Sequence, residues 1–219
     1  MVGSNNRLSL KVSEIFFSVQ GESSRAGLPT VFVRLTGCPL RCVWCDTEYA
    51  FTGGQSMTLN RILEEVGTFK TRLVCVTGGE PLAQKNCLLL LTALCDSAYE
   101  VSLETSGAID IAIVDPRVSR VVDLKAPGSG ESGKNRWQNL ELLTPHDELK
   151  FVIKDRTDYE WARNTIVENR LDTVCPVLFS PVQGAIEPRM LAEWILADRL
   201  PVRFQLQLHK LLWGNIRGK

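Results

Sequence analysis

The sequence lacks an apolar run long enough to cross a bilayer. Its longest, the leucines at 88–91 with their continuation to Leu94, falls far short of the roughly 20 residues a spanning helix needs. It also lacks an excess of either charge. The 25 Lys and Arg side chains are balanced by 25 Asp and Glu, and a polyphosphate partner calls for a net basic field. Neither a membrane nor a nucleic acid is therefore an expected partner. The leading residues 1–6 are polar and hold no secretory core, so the expected location is cytoplasmic, where thiols stay reduced. Histidine is scarce, at two residues. Internal repeats and linker-like tracts are missing too, and 219 residues suffice for one domain with a full core. We expect a single domain over residues 1–219.

Cysteine is not scarce. There are seven, an odd number that does not suit a closed disulfide framework. Three fall within eight residues, as Cys38-x3-Cys42-x2-Cys45. Thiolates select zinc, copper(I) or iron–sulfur clusters. A closed zinc site takes four ligands, but no fourth cysteine lies nearby, and His146 and His209 are about a hundred residues or more downstream. Three thiolates would leave one iron of a four-iron cluster open. Structural zinc is the competing reading. The other four, Cys75, Cys87, Cys95 and Cys175, sit in apolar segments and read as small core hydrophobes.

Around this loop the pattern alternates. Segments 12–19, 30–35, 73–76, 99–103, 120–123, 148–153, 173–179 and 203–208 are apolar or β-branched, and all but the first read as strands. Helices are predicted over 59–69, with Thr58 as N-cap, from the leucine-rich stretch to about Asp96, and over 157–169 and 188–197. Segment 131–139 is polar and reads as a mobile loop. Alternating strands and helices imply parallel units with right-handed crossovers. The expected class is α/β, an incomplete (partial) (β/α) barrel of about six βα units. In such folds chemistry collects at the C-terminal strand ends. The unusual polar clusters all sit there: the cysteine loop, Thr77 to Glu80, Glu104 to Ser106, Asp123 to Lys125, Ser180 to Gln183, and His209.

The cysteine spacing, with aromatic Trp44 before the last thiol, resembles the signature of the radical S-adenosylmethionine (SAM) superfamily. Gly78-Gly79-Glu80-Pro81 resembles its GGEP motif, and Glu104-Thr105-Ser106-Gly107 its ribose and carboxylate contacts. The stretch from Ile15 to Glu22, then Gly27 to Leu35, Gly37-Cys38, Cys45-Asp46-Thr47, Asp123-Leu124-Lys125, Ser180-Pro181-Val182-Gln183 and Gln207-Leu208-His209-Lys210, is similar to the 7-carboxy-7-deazaguanine synthase family within it. That resemblance covers nearly the whole chain.

The resemblance implies a 4Fe-4S cluster on Cys38, Cys42 and Cys45, with S-adenosyl-L-methionine on its open iron, and Mg2+ on Thr47. It implies cofactor contacts from Trp44, Gly79, Glu80, Glu104, Ser106, Asp123, Leu124, Lys125, Ser180, Pro181, Val182 and Gln183. Val19, Gln20, Gly21, Arg34, Thr77 and His209 would hold the substrate, 6-carboxy-5,6,7,8-tetrahydropterin, with Arg34 on its carboxylate. The implied reaction removes hydrogen from C6, contracts the ring and releases ammonia to give 7-carboxy-7-deazaguanine. A flavodoxin-type electron donor and a homodimer are implied as partners. A glycyl-radical-enzyme activase shares the cysteines and short length and is the alternative radical reading; a non-catalytic zinc-binding module is the other. Tail residues 211–219 receive no role.

Overall fold

The computed structural model describes residues 8–214 and 216–219. The leading segment 1–6, on which the expectation about secretion rests, lies outside them. Nine strands form one sheet: β1 (Ser9–Val19), β2 (Pro29–Leu35), β3 (Gln55–Thr58), β4 (Leu73–Gly78), β5 (Glu100–Thr105), β6 (Ser119–Asp123), β7 (Glu148–Ile153), β8 (Val177–Pro181) and β9 (Arg203–Phe204). Their spatial order is β3-β1-β2-β4-β5-β6-β7-β8-β9. β1 pairs antiparallel with β2 and with β3, and every pairing from β2 through β4 to β9 is parallel. The sheet is not closed, since β3 and β9 are its two ends.

Six parallel connections run from β2 to β9, which matches the expected six units. Only four carry an α-helix: α1 (Leu59–Thr68), α2 (Cys87–Asp96), α3 (Arg156–Asn169) and α4 (Pro188–Asp198). The β5–β6 link is irregular and the β6–β7 link is built of short 3-10 turns. A fifth helix, α5 (Leu208–Trp213), follows β9.

Strand alternation sorts the sheet into two faces. Val31, Val33, Val74, Val76, Val101, Leu103, Val122, Leu149, Phe151, Val177 and Phe179 join Ile62, Val66, Leu90, Leu91, Leu94, Tyr159, Ile166 and Leu191 of the helices in one core. Burial of each such side chain favours folding by about 1.5–3 kcal/mol. The other face carries Arg34, Thr77, Glu104, Asp123 and Lys150, which line a cavity.

The parity of β1 is set by a bulge. Pairing with β2 is regular from Val19 back to Glu14 and shifts between Glu14 and Val12. Val12 and Ile15, three residues apart, thus both pack on the helix-side core. One extra residue re-aims the strand, and Phe16 is delivered to the cavity face, stacked on Phe32 at 5.0 Å.

Three expectations change. Segment 131–139 is ordered into turns (Ser132–Lys134 and Trp137–Leu142), because its polar groups are used internally. Asn139 is buried and donates to the carbonyls of Gly107 and Ile109 at 2.9 and 2.8 Å, and Asn135 bonds both backbone groups of Lys125 at 2.9 Å. The strand expected from Thr173 begins at Val177, after a 3-10 turn at Leu171–Thr173. The last strand is only Arg203–Phe204, and His209 lies in α5.

Candidate active site

The cysteine loop leaves the C-terminal end of β2 and is held by backbone contacts. Gly37 adopts a positive φ of 90°, and its N–H donates to the Ala50 carbonyl at 2.8 Å. Its own carbonyl accepts from Glu80 N at 2.7 Å. That contact needs glycine at 79, where a Cβ would stand 2.3 Å from the Gly37 oxygen and 2.9 Å from Cys38 Cβ. The Gly-Gly pair therefore lets the end of β4 lie directly against the thiol loop. Arg41 braces the loop from outside, donating to the carbonyls of Cys38 and Leu40 at 2.8 and 2.6 Å and stacking on Phe51.

Cys38, Cys42 and Cys45 are partly exposed and line one cavity of about 770 Å³. Burial raises all three thiols above their ordinary range, with the Lys125 ammonium opposing the shift. Among the described residues no three His, Cys, Asp or Glu side chains converge on a single-ion site. No fourth cysteine among the described residues lines the cavity, so the three thiols suit an iron–sulfur cluster with one open iron better than a closed zinc site, which takes four ligands.

One side of the cavity is a polar row across three strands. Arg34 pairs in register with Thr77. Thr77 Oγ1 donates to Glu104 Oε2 at 2.9 Å, and Gln20 Nε2 donates to Glu104 Oε1 at 3.3 Å. His209 closes this region. Burial lowers its pKa below the ordinary histidine value, against the pull of Glu22 and Asp46, so the ring is neutral at pH 7. Its position depends on Gly21: a Cβ there would lie 2.0 Å from His209 Nδ1. The Gly21 carbonyl also accepts from Leu208 N at 2.9 Å.

Below lies a buried charge network that the sequence reading missed. Lys150 Nζ reaches Glu22 Oε2 at 2.6 Å and Asp123 Oδ2 at 3.4 Å, and Lys125 Nζ reaches the same Asp123 oxygen at 3.1 Å. Burial opposes each charge, yet the partners prevail: the Glu22 and Asp123 carboxyls are held low, and the Lys125 and Lys150 ammoniums are pushed up. Gln207 Nε2 donates to Glu22 Oε1 at 2.7 Å. The available signal was a lysine within a mostly apolar strand, at a position facing away from the helices. Asp46 was missed as well. Burial disfavours its charge, but Lys210 at 2.7 Å and the Thr47 hydroxyl at 2.8 Å hold its carboxyl below the usual range.

Of the residues singled out in the sequence, Cys38, Cys42, Cys45, Trp44, Thr47, Gly79, Glu104, Ser106, Asp123, Lys125, Val182, Gln183, Val19, Gln20, Gly21, Arg34, Thr77 and His209 all line this cavity. Four do not. The Glu80 carboxylate is fully buried, accepting from Leu82 N at 3.0 Å and from Thr105 and Ser106; it ties the end of β4 to the end of β5. Leu124 belongs to the helix-side core. Ser180 is fully buried with an unpartnered hydroxyl. Pro181 turns toward a neighbouring groove beside Trp194.

An open α/β sheet with three thiols at one strand end, a Gly-Gly contact behind them and a polar cavity in front is the arrangement of radical SAM proteins. The sequence family described as the radical SAM superfamily matches residues 32–168, and the chain belongs to it. Two curated relatives named 7-carboxy-7-deazaguanine synthase are similar throughout. The one from Chlorobaculum tepidum is 48% identical over 213 residues, covering 95% of this chain and 97% of its own. The one from Koribacter versatilis is 46% identical over 219 residues, with 93% and 97% coverage. Within the superfamily, then, the chain is a member of the 7-carboxy-7-deazaguanine synthase family. The crystal structure of QueE from Escherichia coli has the same fold, with a TM-score of 0.77 at 23% identity over 95% of this chain and all of that one.

Proposed function

We propose that this chain, acting as a single radical SAM core domain, converts 6-carboxy-5,6,7,8-tetrahydropterin to 7-carboxy-7-deazaguanine with loss of ammonia. The observation that carries the reading is the polar row Arg34–Thr77–Glu104 facing the three thiols across one cavity. Neighbouring strands lie about 4.8 Å apart, so the row from Arg34 to Glu104 spans roughly 10 Å, the length of a bicyclic ring with one substituent. Arg34 presents a guanidinium at one end, suited to a carboxylate. Glu104 with Gln20 presents acceptors and a donor at the other, suited to the N–H groups of a pterin edge.

Cys38, Cys42 and Cys45 would hold a 4Fe-4S cluster, and Trp44, Gly79, Ser106, Asp123, Lys125, Val182 and Gln183 would border S-adenosylmethionine. Together these groups supply the one-electron and radical chemistry when bound. The residues of the chain do the rest. The Lys150–Glu22–Asp123–Lys125 network pairs its charges, so the cavity floor presents no isolated ion to the substrate. Neutral His209 can donate or accept one hydrogen bond against the substrate. Thr47, beside Asp46, would hold Mg2+, an oxygen-seeking ion that polarises substrate oxygens. We further infer a cytoplasmic homodimer reduced by a flavodoxin-type donor. No helix among the described residues is long and apolar enough to cross a membrane.

The test is direct. Reconstituted protein, incubated without oxygen with S-adenosylmethionine, a reductant and the carboxytetrahydropterin, is expected to yield 7-carboxy-7-deazaguanine, and yield is expected to fall when Mg2+ is chelated. Absence of that product overturns the reading. Light scattering of the same preparation checks the dimer.

A further inference from the structure

The C-terminal segment crosses the mouth of the cavity and brings a second arginine to it. Glu14 and Arg34 are direct cross-strand partners, and Arg34 Nε lies 2.8 Å from Glu14 Oε1. Arg217 Nε lies 3.3 Å from the other oxygen of the same carboxylate, while its Nη2 donates to Ser13 Oγ at 3.2 Å. Tyr49 stands between the two arginines. Its hydroxyl donates to Glu14 Oε1 at 2.8 Å, and the guanidinium carbons of Arg34 and Arg217 lie 5.9 and 4.2 Å from its ring centre.

Two cations share one anion here, which leaves an excess positive charge at the cavity mouth. Deeper in the cavity Lys150 and Lys125 are matched by Glu22 and Asp123, and Lys210 by Asp46, while the Glu104 carboxylate bonds the neutral Thr77 and Gln20 at the other end of the row. Both arginines line the cavity, and Glu14 does not. Glu14 grips each through Nε. Among the described residues both Nη groups of Arg34 and Nη1 of Arg217 have no hydrogen-bond partner. A guanidinium held at Nε with at least one Nη group free is arranged to take a carboxylate.

We propose that Arg217 is a second guanidinium for the substrate's carboxylate, acting with Arg34, and that Glu14 is the positioning residue that holds both. This rests on the function proposed above. It gives the tail beyond α5 a role in specificity: it selects for a carboxylated ring over the same ring without the carboxylate.

The experiment is calorimetric titration of the reconstituted holoenzyme with 6-carboxypterin and with pterin lacking the carboxylate. The wild-type chain is expected to prefer the carboxylated ligand by tenfold or more. Arg217→Gln, and a chain ending at Gly214, are each expected to cut affinity for the carboxylated ligand about tenfold, the worth of one charge-assisted hydrogen bond, and to leave the other ligand unchanged. Arg217→Lys is expected to recover part of the loss. The Arg217 side chain is half exposed, so these variants retain the fold. If Arg34→Gln abolishes the preference while both Arg217 changes leave it intact, the inference fails and the proposed function stands. Equal weakening of both ligands also overturns it, since a strap that merely covers the cavity would do that. If the wild-type chain shows no preference, the substrate reading fails and this inference with it.

Discussion

Single residues decide this site because two of them, Cys42 and Gly21, have no tolerable substitute. Cys42 sits in the middle of the thiol loop, and loss of one of three ligands leaves a four-iron cluster held by two. Cys42→Ala is expected to give protein without visible iron–sulfur charge-transfer absorbance after reconstitution and without product. Gly21 is constrained by contact, not by backbone angle, since the His209 ring occupies the space of its missing side chain. Gly21→Ala must displace the ring or the strand end, an overpacking cost of about 1–3 kcal/mol. It is expected to raise KM for the pterin by tenfold or more, measured beside a lowered Tm. Both positions stood out in the sequence, but the reason for Gly21 did not, because its partner is 188 residues away. Glu80 is the opposite case. Its motif was plain in the sequence, yet its carboxylate is spent on Thr105 and Ser106, a destination set by how β4 and β5 meet.

Secondary-structure elements were readable wherever a local signal existed. The helix from Leu59 carries its own start, Thr58 Oγ1 accepting from Arg61 N at 3.3 Å. Thr58→Ala is expected to cost about 1 kcal/mol, seen as a shift in denaturant midpoint at unchanged slope. Elements were misread where the deciding contact is distant. The polar stretch around Asn135 and Asn139 looks solvent-bound in sequence, and its order comes from carbonyls of Lys125, Gly107 and Ile109. The residues after Phe204 look like strand by composition. Only Arg203 and Phe204 pair with β8; Gln205 and Gln207 turn their side chains to Ser23 and Glu22 instead, and helix α5 starts at Leu208.

At the scale of the molecule, the buried charges couple the floor of the cavity to stability. Removing Lys150 strands Glu22 and part of Asp123, and Lys150→Met is expected to cost about 3–5 kcal/mol by chemical denaturation. The pH dependence follows from the direction of each shift. Lys150 has a raised pKa in the folded chain, so its contribution is complete below about pH 10 and is lost as pH rises through the folded value. The lowered pKa values of Glu22 and Asp123 make theirs complete above about pH 4, with loss as pH falls further. His209 is lowered, so the unfolded chain takes its proton first and stability declines below about pH 6.5. The buried thiols of Cys75, Cys87 and Cys175 are pushed up by burial, so the unfolded chain loses their protons first, above about pH 8.5. Thermal melts of the metal-free protein are therefore expected to be highest between about pH 7 and 8.5 and to fall on both sides.

What the sequence determined by itself was everything written in local spacing. The three-thiol loop, the Gly-Gly strand end and the alternation of strands with helices come from residues a few positions apart, and the family resemblance from the order of such short motifs along the chain. What only the tertiary structure decided was which polar side chains share a cavity and in what charge state. Glu22 meets Lys150 across 128 positions and Glu14 meets Arg217 across 203. A sequence pattern of period two or 3.6 says which face a side chain takes, but not which distant strand or tail will stand opposite it. That is set by the order of strands in the sheet and by the course of the chain back across its open face.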